Sequence, residues 1–542
     1  MIDPTGNVYT SGSVGWTSNT PGDVRLIKYS PSGAVLWSRT VDVLGGQDFS
    51  SELALGAGGV VHELGSTSAT FYPLQSRVIT WDALGNQLWL TMLPSSDSLL
   101  GIVAGAQGNL LCLGWTYNGM DSVAQVKALS SAGTTLWSAN FGGSASNQDI
   151  ARSAAQDAAG NWYVAFSYDV GNSFYNHPRA GVAKLDPAGQ LLWERSYPGS
   201  YGGADVTRIA VAPDGYSVAV GRNKVGGGAW GMYAVAHNAA GTLVWTDTQT
   251  SPGAADKATD VALDAQGIAW VVGTQQLGFG TVSAIRYSRT GAQLSTAYSP
   301  GNLTLLPHDP RVRLGTAGQA YVVINTYATL VVPASLRVMQ LDSSGASTWS
   351  AIHPPSVHGS LAVRASALSA AGRLAVACDE GPNAAQSVTT LQIDLNDSPQ
   401  AYCSSKVNSL GCSPWIGFVG QSSAAAASGF KVQASNVLAS KSGLFFYGLN
   451  GQASTPFQGG TLCIQAPILR TPVGNSGGTS ACSGQYALDF NAFAQGSLGG
   501  APSPALIVPG TAVCCQAWGR DPGLPAPNDT SLSNALRYVV LP

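Results

Sequence analysis

Charge is scarce in this chain. Of 542 residues, 26 are Lys or Arg and 29 are Asp or Glu, together 10%. No basic stripe interrupts the sequence, so a nucleic-acid partner is not expected. No apolar run approaches the ~18 residues that a membrane-spanning helix needs. Histidine is rare as well: His62, His177, His237, His308, His353 and His358, none in an i, i+4 pair or another metal-ligand spacing. A G-x-S-x-G elbow, a phosphate-binding loop and a C-x-x-C pair are all missing. Local motifs therefore nominate no catalytic, cofactor-binding or metal residue, and no cofactor is expected. A site assembled from distant strands would escape this test.

Glycine, by contrast, is abundant, and its placement is periodic. A glycine turn, of the form D-x-x-G at Gly6, Gly160 and Gly267, recurs at Gly6, Gly59, Gly108, Gly160, Gly215, Gly267, Gly318 and Gly372, at spacings of 49 to 55 residues. Apolar residues flank each turn with partial alternation, as in Val261-Ala-Leu-Asp264 and Ile268-Ala-Trp-Val-Val-Gly273, which is a hairpin pattern. A second turn, (S/D)-x-x-G-x-x-x-W, follows in each repeat: Gly33 with Trp37, Gly85 with Trp89, Gly133 with Trp137, Gly189 with Trp193, Gly241 with Trp245, and Gly345 with Trp349. The copy at Gly291 has Ser295 in place of Trp. Two hairpins per repeat give four antiparallel strands, and strand-rich repeats of this length read as propeller blades. Large rings recurring once per blade are expected to fill the gaps between blades.

Six repeats are complete. The first enters at its second strand, because Met1-Ile2 leads straight into the Asp3 turn, and the last stops after its third strand near Leu395. Eight blades are expected, with seven and a composite closing blade as the alternative. A first strand and an export signal are expected upstream of Met1.

Segments such as Asp157-Ala-Ala-Gly-Asn161-Trp-Tyr-Val164 and Lys28-Tyr-Ser-Pro-Ser-Gly33-Ala-Val-Leu-Trp37 resemble the bacterial SBBP-type β-propeller repeat over about residues 1–398. The resemblance implies a surface or secreted module and assigns no activity.

Composition shifts at Leu395-Asn-Asp-Ser-Pro399. Six of the eight cysteines lie beyond it: Cys403, Cys412, Cys463, Cys482, Cys514 and Cys515. Cys112 and Cys378 fall in apolar strand runs and read as small buried hydrophobes. Residues 402–542 are enough for one further core, and short apolar runs broken by Gly, Ser and Pro suggest an antiparallel β-sandwich. Tyr402-Cys-Ser-Ser-Lys-Val-Asn-Ser-Leu-Gly-Cys412, Pro456-Phe-Gln-Gly-Gly-Thr-Leu-Cys463 and Trp518-Gly-Arg-Asp-Pro-Gly523 resemble a C-terminal domain of large secreted proteins from planctomycete-like bacteria. Paired cysteines point to an oxidising compartment. The expected bridges are Cys403–Cys412, closing a short loop, and Cys463–Cys482. Cys514 and Cys515 cannot both face one side of a regular strand, so no pairing is assigned to them.

An acidic residue recurs ahead of each blade's first strand. Asp48, Asp97, Asp149 and Asp256 stand 11 residues before their turn glycine, Asp205 stands 10 before, and Asp309 stands 9 before. Together they could form an acidic rim that holds a cation near the channel. Residues repeated once per blade more simply serve the blade, each carboxylate accepting local N–H bonds, so no metal site is assigned. Sialidase aspartate boxes place Trp three residues after Gly, whereas here it falls four after. Quinoprotein dehydrogenases share the Gly-x-x-x-Trp spacing, but the vicinal Cys514-Cys515 lies outside the repeat region and no calcium–quinone ligand set is evident.

The expectation is an all-β chain: a β-propeller over 1–398 and a disulfide-containing β domain over 402–542. It is expected to be a secreted or envelope-associated monomer, not an enzyme. Propeller-face loops would contact a protein or carbohydrate ligand. An enzyme using the channel mouth, quinoprotein-like or hydrolytic, is the alternative.

Overall fold

The computed structural model describes all residues except 15–21, 70–73, 120, 143–148, 170–177, 200, 202, 227, 252–254, 276–280, 300–306, 316–317, 327–334, 354–359, 370–371, 382–386, 395–398, 480 and 542. Two compact units emerge. The first comprises Met1–Ala334, Ser343–Ala346 and Pro355–Gln392; the second comprises Ser335–Asp342, Ser347–Pro354 and Ile393–Pro542.

The first unit is a propeller of antiparallel blades. The second blade shows the plan: Gln47–Leu55, Val61–Ser68, Gln75–Trp81 and Gln87–Met92 hydrogen-bond in chain order from the axis outwards. Four more four-stranded blades follow, beginning at Asp97, Ile150, Ala204 and Lys257. The seventh repeat adds Pro307–Leu314 and Ala320–Thr326 to this unit, while its strands Ser335–Leu341 and Ser347–His353 pair with each other and fall in the second unit. The first and last blades have three strands each: Val8–Val14, Asp23–Tyr29 and Val35–Val41, and Ser360–Leu368, Arg373–Gly381 and Ser387–Asp394. Among the described residues they are separate sheets, giving eight blades. Ile2 bridges Val8 where an inner strand would start, and Arg373 Nη1 donates to Pro31 O at 2.7 Å, joining the eighth blade to the first.

Three of the first turns, at Gly6, Gly160 and Gly267, are built by aspartate side-chain caps, while those at Gly59, Gly108, Gly215 and Gly318 are closed by backbone bonds. Asp157 Oδ1 accepts the N–H groups of Ala159 (3.0 Å) and Asn161 (2.9 Å), and Gly160 takes φ +82°, a conformation that only glycine adopts without strain. Asp3 and Asp264 do the same in their own turns.

The second turns lock neighbouring blades together. Trp37 Nε1 donates to Ala83 O (3.1 Å), Trp89 to Ser131 O (2.8 Å), Trp137 to Pro187 O (3.1 Å) and Trp193 to Ala239 O (3.1 Å), each acceptor lying in the next blade's second turn. The indole also lies against that turn's glycine: a Cβ at Gly189 would stand 2.4 Å from Trp137. Trp245 packs on Gly291 in the same way but donates to Tyr216 Oη within its own blade. The Trp349 side chain lies outside the described residues. Between blades the core is continuous, with Trp162, Phe166 and Phe141 in one cluster and Tyr163, Trp193 and Val235 in the next.

The second unit contains a large sheet in the order Gln400–Tyr402, Thr530–Val539, Ala512–Arg520, Ser442–Gly448 and Leu469–Arg470, with Gly474–Asn475 also pairing to Ser442–Gly448. A three-stranded sheet, Trp415–Val419, Lys431–Val437 and Gly484–Asp489, accompanies it. Phe430, Phe490 and Tyr538 meet edge-on between the sheets, with ring centroids 4.8 to 5.8 Å apart for the pairs with Tyr538. This is the expected sandwich.

The disulfides correct one expectation. The bridges are Cys403–Cys463 and Cys412–Cys482, closing separations of 60 and 70 residues, not Cys403–Cys412 and Cys463–Cys482. Closeness in sequence misleads because Asn408 folds the short segment into a turn of its own. Its Oδ1 accepts Cys412 N at 3.0 Å, and its Nδ2 lies 3.6 Å from Cys482 Sγ. Cys403 follows an edge strand whose Tyr402 hydroxyl donates to Cys463 O at 2.7 Å. Cys514 and Cys515 are free and buried on opposite faces of Ala512–Arg520: Cys514 packs with Phe446 and Ile464, while Cys515 lies toward Tyr538. Cys112 and Cys378 are buried thiols outside any disulfide.

Candidate functional site

The six once-per-blade aspartates are not brought together. Each inner strand carries a β-bulge, and Asp48, Asp97, Asp149 and Asp256 stand three residues ahead of it, in a shared register. All four are buried, at 0%, 4%, 1% and 0% exposure. Asp48 accepts Val43 N (2.8 Å), Asp149 accepts Asp169 N (2.9 Å), and Asp256 accepts the N–H (2.6 Å) and hydroxyl (2.7 Å) of Ser251. Asp97 accepts Thr116 Oγ1 (2.8 Å) and pairs with Lys127. Asp205 stands one residue further along its strand, which turns the side chain to the other face. There it meets its cross-strand neighbour Arg222 (2.7 Å), which is half-exposed while Asp205 itself stays mostly covered. Asp309 is exposed and lies 3.4 Å from Lys257.

One of the six does keep acidic company. Asp23, Asp42 and Asp48 place carboxylate oxygens within 4.8 Å of one another, the only such group of three among the described residues. Burial, then Asp42 and Asp48, raises the Asp23 pKa. Asp48, however, also faces Arg77 Nε at 3.4 Å, and Arg77 in turn grips Glu63, so a guanidinium already occupies this pocket of negative charge. Burial is the main cause raising the Glu63 pKa, and Arg77 opposes it.

The feature that sequence reasoning missed is the basic lining of the channel. The bulges turn side chains into it. Arg152 is itself a bulge residue, Thr207 is the next, and Arg208 follows it. Thr207 Oγ1 reaches Ala258 O (2.9 Å) and Thr259 Oγ1 reaches Pro310 O (2.7 Å), stitching successive inner strands around the axis. A cavity of about 510 Å³ results, with Arg152, Arg208, Lys257, Arg311 and Arg313 along one arc and Glu52 and Leu100 opposite. Two of these cations are neutralised: Arg313 by Asp260 (2.8 Å) and Lys257 by Asp309. Among the described residues Arg152, Arg208 and Arg311 have no hydrogen-bond or ion-pair partner. Burial, followed by the field of Arg208, lowers the Arg311 pKa. Burial raises the Glu52 pKa against the fields of Arg208 and Arg311 and the N–H of Ile102, which donates at 3.0 Å. At the opposite ends of the inner strands a second cavity of about 770 Å³ is walled largely by apolar residues, including Leu55, Val103, Val211 and Pro213. One signal was available in the sequence: a basic residue follows within three positions of the rim aspartate in repeats four to seven, at Arg152, Arg208, Lys257 and Arg311.

No protein-family model matches the chain, and no curated protein matches it either. Solved structures do. The propeller domain of the Trilobed protease from Pyrococcus furiosus is 7% identical, covers 64% of this chain and 95% of its own, and has a TM-score of 0.39. Sqt1 from Chaetomium thermophilum is 13% identical over 72% of this chain and 93% of its own, with a TM-score of 0.45. The polysaccharide lyase Uly1 is 12% identical over 62% of this chain and 88% of its own, with a TM-score of 0.39.

Proposed function

We propose that this chain is a binding protein of the SBBP-type propeller class, secreted or held at the cell envelope, that takes its ligand at the propeller channel. The observation that carries the reading is the set of guanidinium groups, Arg152, Arg208 and Arg311, exposed or half-buried along the cavity without an internal partner. Guanidinium stays protonated and donates hydrogen bonds without giving up its proton. Such groups hold and orient a ligand; they do not shuttle protons. The two disulfides of the second unit suit an oxidising compartment. No helix among the described residues is long and apolar enough to cross a membrane. The competing enzymatic reading would have to use Glu52, the carboxyl group that burial keeps protonated to higher pH.

The test is to incubate the purified chain with neutral and acidic oligosaccharides and acidic peptides, following heat of binding and product formation together. Saturable binding with unchanged ligand is expected. Ligand turnover that disappears in Glu52→Gln would replace this reading with the enzymatic one.

A further inference from the structure

Other arginines of the propeller have partners. Arg77 lies between Asp48 and Glu63, Arg222 meets Asp205 and Arg289 meets Asp214, while Arg39 and Arg195 donate to backbone carbonyls of the next blade. Along the channel Arg313 is paired with Asp260 and Lys257 with Asp309. Three guanidinium groups there have neither kind of partner. Among the described residues, Arg152 of the fourth blade, Arg208 of the fifth and Arg311 of the seventh have no carboxylate within 4 Å: Asp205, held by Arg222, reaches Arg152 only through its field; Asp260 and Asp309, held by Arg313 and Lys257, reach Arg311 only through theirs; and Glu52 acts on Arg208 and Arg311 from across the cavity. Like charges gathered in a partly desolvated cavity repel one another and weaken the fold. The chain as a whole carries a formal charge of −3, so this positive excess is local. Its position is built in, because bulges set the register of these residues on the inner strands.

Each guanidinium offers a planar fork of N–H donors that matches the oxygens of a carboxylate, sulfate or phosphate. Spread over four consecutive blades, three such forks can reach oxygens several ångströms apart on one guest. We propose that this arc is an oxyanion site for a ligand bearing more than one carboxylate, sulfate or phosphate group. It rests on the channel-binding reading above and names the chemistry of the ligand. Glu52 sets the charge balance of the site and repels the same guest, which makes its removal diagnostic.

The experiment is calorimetric titration of the full chain with citrate, inorganic sulfate, acetate, trigalacturonate and the neutral sugar maltotriose, at low and high sodium chloride. One-site binding of citrate or trigalacturonate is expected, tighter than acetate and weakening as salt rises. Arg208→Gln and Arg311→Gln should each lower affinity about tenfold, the loss of one charge-assisted hydrogen bond. Arg289→Gln, whose guanidinium pairs with the exposed Asp214 away from the cavity, should leave it unchanged. Glu52→Gln should raise affinity several-fold, a gain that damage to the fold would not produce. Binding of trigalacturonate alone would place the anionic groups on a polymer, and binding of citrate alone on a free small molecule. Absence of binding by every oxyanion, or affinity unmoved by both arginine variants and by Glu52→Gln, overturns the proposal. Maltotriose binding without oxyanion binding overturns it too, while leaving the channel-binding reading standing.

Discussion

The indole of Trp193 lies on Gly241 of the next blade. Its Nε1 donates to Ala239 O at 3.1 Å, a Cβ on Gly241 would stand 2.6 Å from the ring, and Arg195 Nε donates to Gly241 O at 2.9 Å. Two demands therefore meet at one glycine, a φ of +76° and room for a tryptophan from outside its own blade. Gly33 takes φ +85° but has no atom within 4 Å of where a Cβ would be. Gly33→Ala should cost about 1 kcal/mol, the left-handed strain alone. Gly241→Ala should cost about 2–4 kcal/mol, because overpacking adds to that strain. Urea denaturation of both variants measures the difference, and equal losses would mean that the ring contact contributes nothing.

Register decides which aspartates matter for stability. Arg77→Met strands Asp48 and Glu63 as buried charges and should cost about 3–5 kcal/mol. Asp205→Ala breaks a pair with a half-exposed arginine and should cost under about 1 kcal/mol. Chemical denaturation midpoints check both. Comparable losses would contradict the opposite facings of Asp48 and Asp205.

Acid should loosen the propeller through two histidines. His62 and His237 are buried, and burial lowers each pKa from 6.5 to about 4. His62 Nδ1 lies 2.7 Å from Thr80 Oγ1, and His237 packs against Trp193 and Tyr197. The unfolded chain takes up protons first, so stability is full above about pH 6.5 and falls as pH drops toward 4. Each site should account for up to about 3 kcal/mol. In a His62→Gln/His237→Gln double variant, stability between pH 6.5 and 4 should vary less than in the parent. An unchanged slope would assign the acid sensitivity to other groups.

The disulfides give a direct chemical check. Non-reducing peptide mapping should find Cys403 linked to Cys463 and Cys412 linked to Cys482. Replacing Cys412 and Cys482 by Ser should cost the second unit about 3–4 kcal/mol through loss of a 70-residue loop constraint. A Cys403–Cys412 peptide would overturn the connectivity.

Much of the propeller was legible because its signals are local. Gly6 to Gly372 mark hairpins through backbone conformation, and a period near 52 residues counts the blades without any long-range knowledge. The recurring Trp was legible as a spacer for the same reason. The aspartates were only half legible. Their spacings of 11, 10 and 9 residues looked like minor scatter, yet in a strand one residue reverses the side chain. That offset separates Asp48, buried with Arg77, from Asp205, which pairs with the half-exposed Arg222. The bulges left no comparable mark, so Arg152, Arg208 and Arg311, far apart in sequence, did not read as a group.

The sequence by itself determined the all-β class and the propeller repeat, because both follow from turn chemistry and hydrophobic alternation within a few residues. Tertiary structure alone decided which cysteines pair and which charges converge. Cys403 meets Cys463 because an edge strand and a distant hairpin are packed together, and Arg208 meets the field of Glu52 because a closed ring brings the second and fifth blades to one axis. The first follows from strand packing within the second unit; the second is a consequence of closure, a property of the whole ring that no single repeat encodes.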